Sequence, residues 1–353
     1  EEKILTVEEV LKRVRKASSQ LAGLSDSVRN RALLAIGRAI EDAREIILEA
    51  NIKDLEKASA LFDKGEMSEA SLQRLKLTHS KLNDIIQGIN DVASLPDPVG
   101  QITRAIELDK DLELYRVTAP IGVVAVVFES RPDALPQIVS LCLKTSNVVI
   151  LKGGKKAENP LKPLFDFINY QAIKEGIPEH AINILSTRED FQTLLSADQY
   201  VDLVIPRGSN ALVKHIQENT RIPVLGHADG ICHLYIHDDA DIEKAIKLTL
   251  DSKTQYPSAC NSIETLLIHN QIMPRLLPEI LFELQERNVE LRLDESSSRF
   301  VKESGLELEI DFEPASEEDW KTEYCDLILS IKIVNSLEEA IEHINSYGSG
   351  HTD

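Results

Sequence analysis

The strongest constraint on the fold is a series of apolar segments that alternate with helical patterns in the middle of the chain. Residues 121–128 (Ile-Gly-Val-Val-Ala-Val-Val-Phe) form a continuous apolar run, and three further runs follow at 147–151, 181–185 and 201–205. Helical spacing of apolar residues separates these runs. Strands that are apolar throughout are covered on both faces, so the pattern predicts an α/β fold with a doubly wound parallel sheet.

A second α/β segment begins after Gly230. It contains predicted strands at 231–236, 264–268 and 327–334, and predicted helices at 241–252, 273–286 and 336–347. We therefore expect two domains, the first at residues 1–229 and the second at residues 230–353.

A β-hairpin is predicted at residues 100–118, within the first domain. Residues 101–108 and 112–118 alternate in part between apolar and polar side chains around Asp109-Lys110-Asp111. A two-stranded hairpin is only marginally stable alone. We expect this one to pair with another part of the protein or with a second subunit.

Charge and cysteine content exclude several classes of protein. The formal net charge is −20, and an acidic surface repels nucleic acid and anionic membranes. No apolar run approaches the roughly 18 residues of a membrane span. The four cysteines, at 142, 232, 260 and 325, lack metal-ligand or disulfide-framework spacing, which predicts no metal site and a reducing, cytoplasmic location.

The most distinctive local motif is Tyr256-Pro-Ser-Ala-Cys260-Asn261-Ser, which directly precedes a predicted buried strand. A cysteine between small residues after a proline is a suitable way to present a fixed, accessible nucleophile. The alternative is a small core residue, which is the more common role of an isolated free cysteine.

Polar motifs follow three strands of the first domain, at 129–133 (Glu-Ser-Arg-Pro-Asp), 152–156 (Lys-Gly-Gly-Lys-Lys) and 206–209 (Pro-Arg-Gly-Ser). Carboxyl ends of parallel strands share one sheet edge, where such folds bind ligands. Gly208 and Ser209 at a helix start offer backbone N–H groups to a phosphate, and the lysines add positive charge. The sequence lacks the G-x-G-x-x-G fingerprint, so the alternative of plain turns with surface lysines stays open beside a nucleotide site.

These motifs together resemble the γ-glutamyl phosphate reductase family of the aldehyde dehydrogenase superfamily, from the N-terminal helices to the last residue. The segments that carry the resemblance are 128–133, 151–155, 205–209, 226–230 and 256–261. The resemblance implies NADPH-dependent reduction of L-glutamyl 5-phosphate to L-glutamate 5-semialdehyde, with release of phosphate, in proline biosynthesis. It also implies a cofactor-binding domain at 1–229 with the hairpin as an oligomerisation arm, and a catalytic domain at 230–353.

The resemblance also implies catalytic roles. Cys260 is the nucleophile that forms a thioester, its backbone N–H is an oxyanion donor, and Ser130 is a second donor. His227 lies at about the place where oxidising aldehyde dehydrogenases carry a glutamate that activates water. The absence of that glutamate fits a reductase and leaves His227 either as a substrate-pocket residue or as a structural histidine.

Substrate and cofactor contacts are implied in the same way. Arg131 and Asn261 are candidates for the anionic substrate, although a local ion pair of Arg131 with Asp133 or Glu129 is the alternative. The resemblance implies NADP as the cofactor. Lys152 is expected to contact its adenosine ribose, and Lys155 its 2′-phosphate. Gly208 and Ser209 are expected at the pyrophosphate, and Glu323 at the nicotinamide ribose. The alternative for Glu323 is an exposed acid without a ligand.

The resemblance further implies a homo-oligomer, and glutamate 5-kinase as a pathway neighbour or fused domain. Family members continue beyond the position of Asp353 with two segments near the substrate. We therefore expect a C-terminally incomplete catalytic domain and, if the chain ends at Asp353, weak or absent turnover and an unpaired hairpin. Two other functions stay open: an oxidative aldehyde dehydrogenase, and a non-catalytic nucleotide-binding or assembly module.

Overall fold

The computed structural model divides the chain into two compact units, residues 1–226 and 227–353. The structure describes residues 7–67, 69–128, 131–154, 158–185, 187–208, 210–226 and 229–353. Within these ranges, no helix is sufficiently long and apolar to cross a membrane.

The first unit begins with a group of packed helices. Their bounds are α1 (Val7–Ala22), α2 (Asp26–Asp42), α3 (Arg44–Phe62), α4 (Glu69–Leu75) and α5 (His79–Ser94). Thr78 begins α5, because its side chain accepts a hydrogen bond from the backbone N–H of Lys81. Helices α2 and α3 meet at Ala43, which ends the first and begins the second.

The predicted hairpin is present as β1 (Ile102–Asp109) and β2 (Leu112–Val117), which pair antiparallel in a sheet of their own. Asp111 in the turn has a left-handed backbone with φ of 62°. Nearly all residues of both strands are exposed, including large apolar side chains such as Ile102 and Val117.

The doubly wound sheet of the first unit confirms the predicted fold class. Its strands are β3 (Val123–Phe128), β4 (Val148–Gly153), β5 (Ile182–Leu185) and β6 (Leu203–Arg207), all parallel in the order β5-β4-β3-β6. The helices that follow these strands are α6 (Ala134–Lys144), α7 (Glu158–Lys174), α8 (Arg188–Leu195) and α9 (Asn210–Asn219). All six residues of β3 are buried, as expected of a strand covered on both faces.

The second unit contains another parallel sheet, in the order β10-β9-β11-β8-β7. Its strands are β7 (Cys232–Ile236), β8 (Ile263–His269), β9 (Glu290–Leu293), β10 (Glu313–Pro314) and β11 (Ile328–Val334), and its helices are α10 (Ile242–Thr254), α11 (Met273–Glu286), α12 (Glu295–Glu303) and α13 (Leu337–Tyr347). The sequence analysis did not predict β9, β10 or α12.

A close approach of backbone and carboxylate fixes the amino end of β3. Asp202 accepts two hydrogen bonds from Arg15, at 2.7 and 2.9 Å, and a third from the backbone N–H of Val123 at 2.8 Å. Gly122 has φ of 124°, and a Cβ there would lie 2.2 Å from Oδ2 of Asp202. Only glycine therefore fits beside this carboxylate.

We expect Gly122→Ala to lower the free energy of unfolding by about 2–5 kcal/mol, because it combines an unfavourable φ with a steric clash. Gly88→Ala is the matched control. A Cβ at Gly88, inside α5, would point into open space, so alanine should stabilise the helix by up to about 1 kcal/mol. Urea unfolding of both variants checks this, and equal midpoints would contradict it.

Candidate active site

A compact turn presents Cys260 at the amino end of β8. The backbone N–H of Ala259 donates to the Tyr256 carbonyl at 2.9 Å, and that of Ser262 donates to the Ala259 carbonyl at 3.0 Å. The Ser262 hydroxyl also donates to the carbonyl of Ser252 on α10, at 3.0 Å. Cys260 is exposed at the surface of this turn.

The carbonyl of Cys260 is held by residues that enter β7. Cys232 donates its S–H to this oxygen at an S···O distance of 3.3 Å. Burial, with a smaller effect of Asp353, raises the pKa of Cys232 to about 11, so Cys232 keeps the proton that it donates. A Cβ at Gly230 would lie 2.1 Å from the same carbonyl oxygen, so glycine is required there.

Glu323 lies close to this carbonyl. The same Cβ at Gly230 would lie 2.8 Å from Oε1 of Glu323, which is half-buried in the loop that enters β11. The Cys260 backbone and the Glu323 carboxylate thus both lie where a side chain at residue 230 would begin. Of the predicted site residues in the second unit, the structure brings Cys260, its exposed neighbour Asn261 and Glu323 to the amino ends of adjacent parallel strands.

A buried ion pair that the sequence analysis missed lies behind the Cys260 turn. Lys253 Nζ is 2.7 Å from Glu264 Oε2, and the two side chains are 0% and 1% exposed. Burying such charges costs several kcal/mol per ion before they pair. Burial raises the pKa of Glu264 to about 7, opposed by the attraction of Lys253, and burial lowers the pKa of Lys253. The only sequence signal is two charges that flank the cysteine motif, one of them at the start of an apolar strand.

In the first unit, predicted site residues lie at the carboxyl ends of strands. Phe128 at the end of β3 lies opposite Gly153 of β4 and Arg207 of β6. The strand order reverses direction between β3 and β6, and such a switch point forms a ligand crevice in open α/β sheets. Lys152, half-buried on β4, and exposed Gly208 after β6 flank this edge.

Arg131 is exposed in the segment between β3 and α6. No ion pair joins it to Asp133, which is also among the described residues, so one of the two local pairings considered for Arg131 is not formed. Ser130, Lys155, Ser209 and His227 lie outside the residues that the structure describes.

The other cysteines behave as core or structural residues. Burial raises the pKa of Cys142 on α6 to about 12, which makes its thiol unreactive. Cys325 is half-buried before β11, with φ of 53°. A separate surface group, His237, Asp238 and Asp239, brings three possible ligand atoms within 4.8 Å of one another, but exposed acidic groups commonly lie this close without a metal.

Comparison with known proteins identifies the family of this chain. The aldehyde dehydrogenase family model matches residues 3–299. The chain is 49% identical over 349 residues to the γ-glutamyl phosphate reductase of Methanosarcina mazei, which covers 98% of this chain and 77% of that protein.

Solved structures give the same result. The crystal structure of γ-glutamyl phosphate reductase from Thermotoga maritima has a TM-score of 0.87 at 34% identity, covering 98% of this chain and 81% of that one. Betaine aldehyde dehydrogenase from Staphylococcus aureus, solved in complex with NAD+, is similar in fold alone. Its TM-score is 0.65 at 18% identity, covering 96% of this chain and 72% of that one. The chain therefore belongs to the aldehyde dehydrogenase family and, within it, to the γ-glutamyl phosphate reductases.

Proposed function

We propose that this chain reduces L-glutamyl 5-phosphate to L-glutamate 5-semialdehyde and releases phosphate, as the second step of proline biosynthesis. The observation that carries the proposal is an exposed Cys260 whose carbonyl accepts a hydrogen bond from Cys232, in a chain that belongs to the reductase family named for this substrate.

In the proposed mechanism, the thiol of Cys260 loses its proton to solvent and its sulfur attacks the acyl carbon. A carbon–sulfur bond forms, the carbon–oxygen bond to phosphate breaks, and phosphate leaves with the electron pair. Among the described residues, no acceptor takes the backbone N–H of Cys260, which supports its role as an oxyanion donor. In other enzymes one such donor is worth about 2.7–4 kcal/mol. We propose Ser130 as the second donor.

The nicotinamide cofactor, when bound, supplies the hydride that reduces the thioester. The aldehyde then leaves as Cys260 regains its negative charge. Water that reached the thioester would hydrolyse it, so a reductase should lack a base positioned to activate water. We propose that His227 occupies this place without acting as that base, and that Arg131 and Asn261 bind the anionic groups of the substrate.

We propose NADPH as the cofactor. The switch point between β3 and β6 fits a dinucleotide, because the edge combines Lys152 with an exposed glycine turn at Gly208. Lys152 and Lys155 would contact the adenosine ribose and its 2′-phosphate, with Gly208 and Ser209 at the pyrophosphate. Glu323 would accept hydrogen bonds from the nicotinamide ribose.

Cys260→Ala should lower turnover by about 10³-fold or more, since removal of a catalytic nucleophile abolishes the covalent route. Cys142→Ala, which alters an unreactive thiol in the first unit, is the control and should retain activity. The measurement is NADPH oxidation with freshly made glutamyl phosphate, together with mass spectrometry of enzyme trapped without cofactor.

Equal rates for Cys260→Ala and the unaltered chain would contradict the mechanism, as would an adduct on another residue. The reverse reaction tests the direction of the chemistry. Oxidation of glutamate semialdehyde that needs no added phosphate would favour an oxidative aldehyde dehydrogenase instead.

Lys152→Met should raise the KM for NADPH roughly tenfold and leave the KM for glutamyl phosphate nearly unchanged, because one charge-assisted hydrogen bond to the cofactor is lost. Lys162→Met on the exposed side of α7 is the matched control. Steady-state kinetics with NADPH and NADH provide the measurement. A change confined to the KM for glutamyl phosphate would assign Lys152 to the substrate instead.

We propose that the hairpin β1–β2 associates with another copy of the chain. Its exposed apolar side chains and its marginal stability alone support this assembly. Leu112→Lys with Val117→Lys should reduce the mass in solution to that of a monomer, whereas Leu308→Lys, at an exposed leucine of the second unit, should not. Light scattering after size-exclusion chromatography checks this, and an unchanged mass for the hairpin variant would contradict it.

We also propose a cytoplasmic location and glutamate 5-kinase as the pathway neighbour. An acyl phosphate hydrolyses readily in water, so the enzyme that forms the substrate should work in the same compartment.

A further inference from the structure

The buried ion pair between Lys253 and Glu264 takes no part in the reaction proposed above. It instead joins the two ends of the segment that carries Cys260. Lys253 lies in the last turn of α10, Glu264 lies near the start of β8, and residues 254–263 lie between them. Lys253 Nζ also donates to the carbonyl of Ile263 at 3.0 Å, so the lysine binds both the side chain and the backbone of the strand.

The second carboxylate oxygen of Glu264 has a different partner. Oε1 accepts a hydrogen bond from the backbone N–H of Cys325 at 3.2 Å. Cys325 has a left-handed backbone with φ of 53°, a conformation that a side-chain-bearing residue adopts only when its surroundings hold it. Glu264 thereby fixes the loop that also contains Glu323.

The two segments that Glu264 joins meet at Gly230. A Cβ on this glycine would lie 2.1 Å from the carbonyl oxygen of Cys260 and 2.8 Å from Oε1 of Glu323, so both segments come close to the same point. A shift of either segment would therefore change the position of the nucleophile relative to the proposed cofactor contact.

We propose that Lys253 and Glu264 are positioning residues that hold the Cys260 segment and the Glu323 loop in one fixed arrangement. Lys253 holds the two ends of the Cys260 segment together, and Glu264 connects that segment to the Glu323 loop. The effect on turnover rests on the proposed function, whereas the effect on the backbone does not.

Two substitutions separate the two connections. In Glu264→Gln the amide has one acceptor oxygen, and the charged Lys253 takes it because a charge-assisted hydrogen bond is the stronger. The amide NH2 group then faces the N–H of Cys325, and the Glu323 loop is released. In Lys253→Met/Glu264→Gln the amide oxygen is free to accept from Cys325, so only the Cys260 segment is released. The double variant buries no charge, which favours folding.

Hydrogen exchange of the whole chain gives the first readout. We expect Glu264→Gln to speed amide exchange about tenfold or more at residues 323–325 and to leave residues 254–263 little changed, with the reverse in the double variant. Glu283→Gln, which breaks an exposed pair with Arg287 on α11, is the matched control and should alter neither segment. Faster exchange spread evenly over the second unit, or no change in either segment, would overturn the proposal.

Steady-state kinetics give the second readout, at a temperature where each variant is folded by circular dichroism. The double variant should lower kcat about tenfold or more with the KM for NADPH nearly unchanged, because misplacement of a reacting group by about 1 Å can cost 10²-fold. Glu264→Gln should mainly raise the KM for NADPH. Kinetic losses that follow only the melting temperature would overturn the positioning role.

The two readouts distinguish failure of the proposed function from failure of the positioning role. If the unaltered chain does not reduce glutamyl phosphate, the proposed function fails, and the exchange pattern still decides whether Lys253 and Glu264 hold the two segments.

Discussion

The candidate active site depends on the central position of β8 in the second parallel sheet. This strand is buried along its whole length and pairs with β7 on one side and β11 on the other. Because the three strands run in the same direction, the loops that enter them meet at one edge. Gly230, Cys260 and Glu323 are distant in sequence, and strand pairing brings them together.

The two sheets offer different edges for chemistry. In the first unit, the candidate residues follow the carboxyl ends of the strands, where helices begin and their positive ends favour phosphate. In the second unit, Cys260 lies at the amino edge, directly after the end of α10. The first edge thus suits the phosphates of a dinucleotide, whereas the second presents the exposed thiol of Cys260.

Hydrophobic periodicity was sufficient for the long elements and failed for the short ones. The bounds predicted for α11, residues 273–286, are those of the structure, because a strong apolar stripe begins beside a proline in the first turn. β9 spans only Glu290–Leu293, too few residues for alternation to stand out. The boundary between α2 and α3 at Ala43 carries no glycine or proline, so nothing local marks the end of the first helix.

In the site, too, local patterns could be predicted from the sequence, whereas contacts between separate elements could not. Cys260 was predicted because its motif is local, whereas Lys253 and Glu264 interact across a turn, at a spacing that belongs to neither a helix nor a strand. Packing explains why charges occupy these positions. Two apolar side chains could fill the same volume, but they would leave the N–H of Cys325 and the carbonyl of Ile263 without their present partners. The ion pair is therefore better explained by the hydrogen bonds that it makes to the start of β8 and to the Glu323 loop than by its own attraction, since a buried pair contributes little net stability.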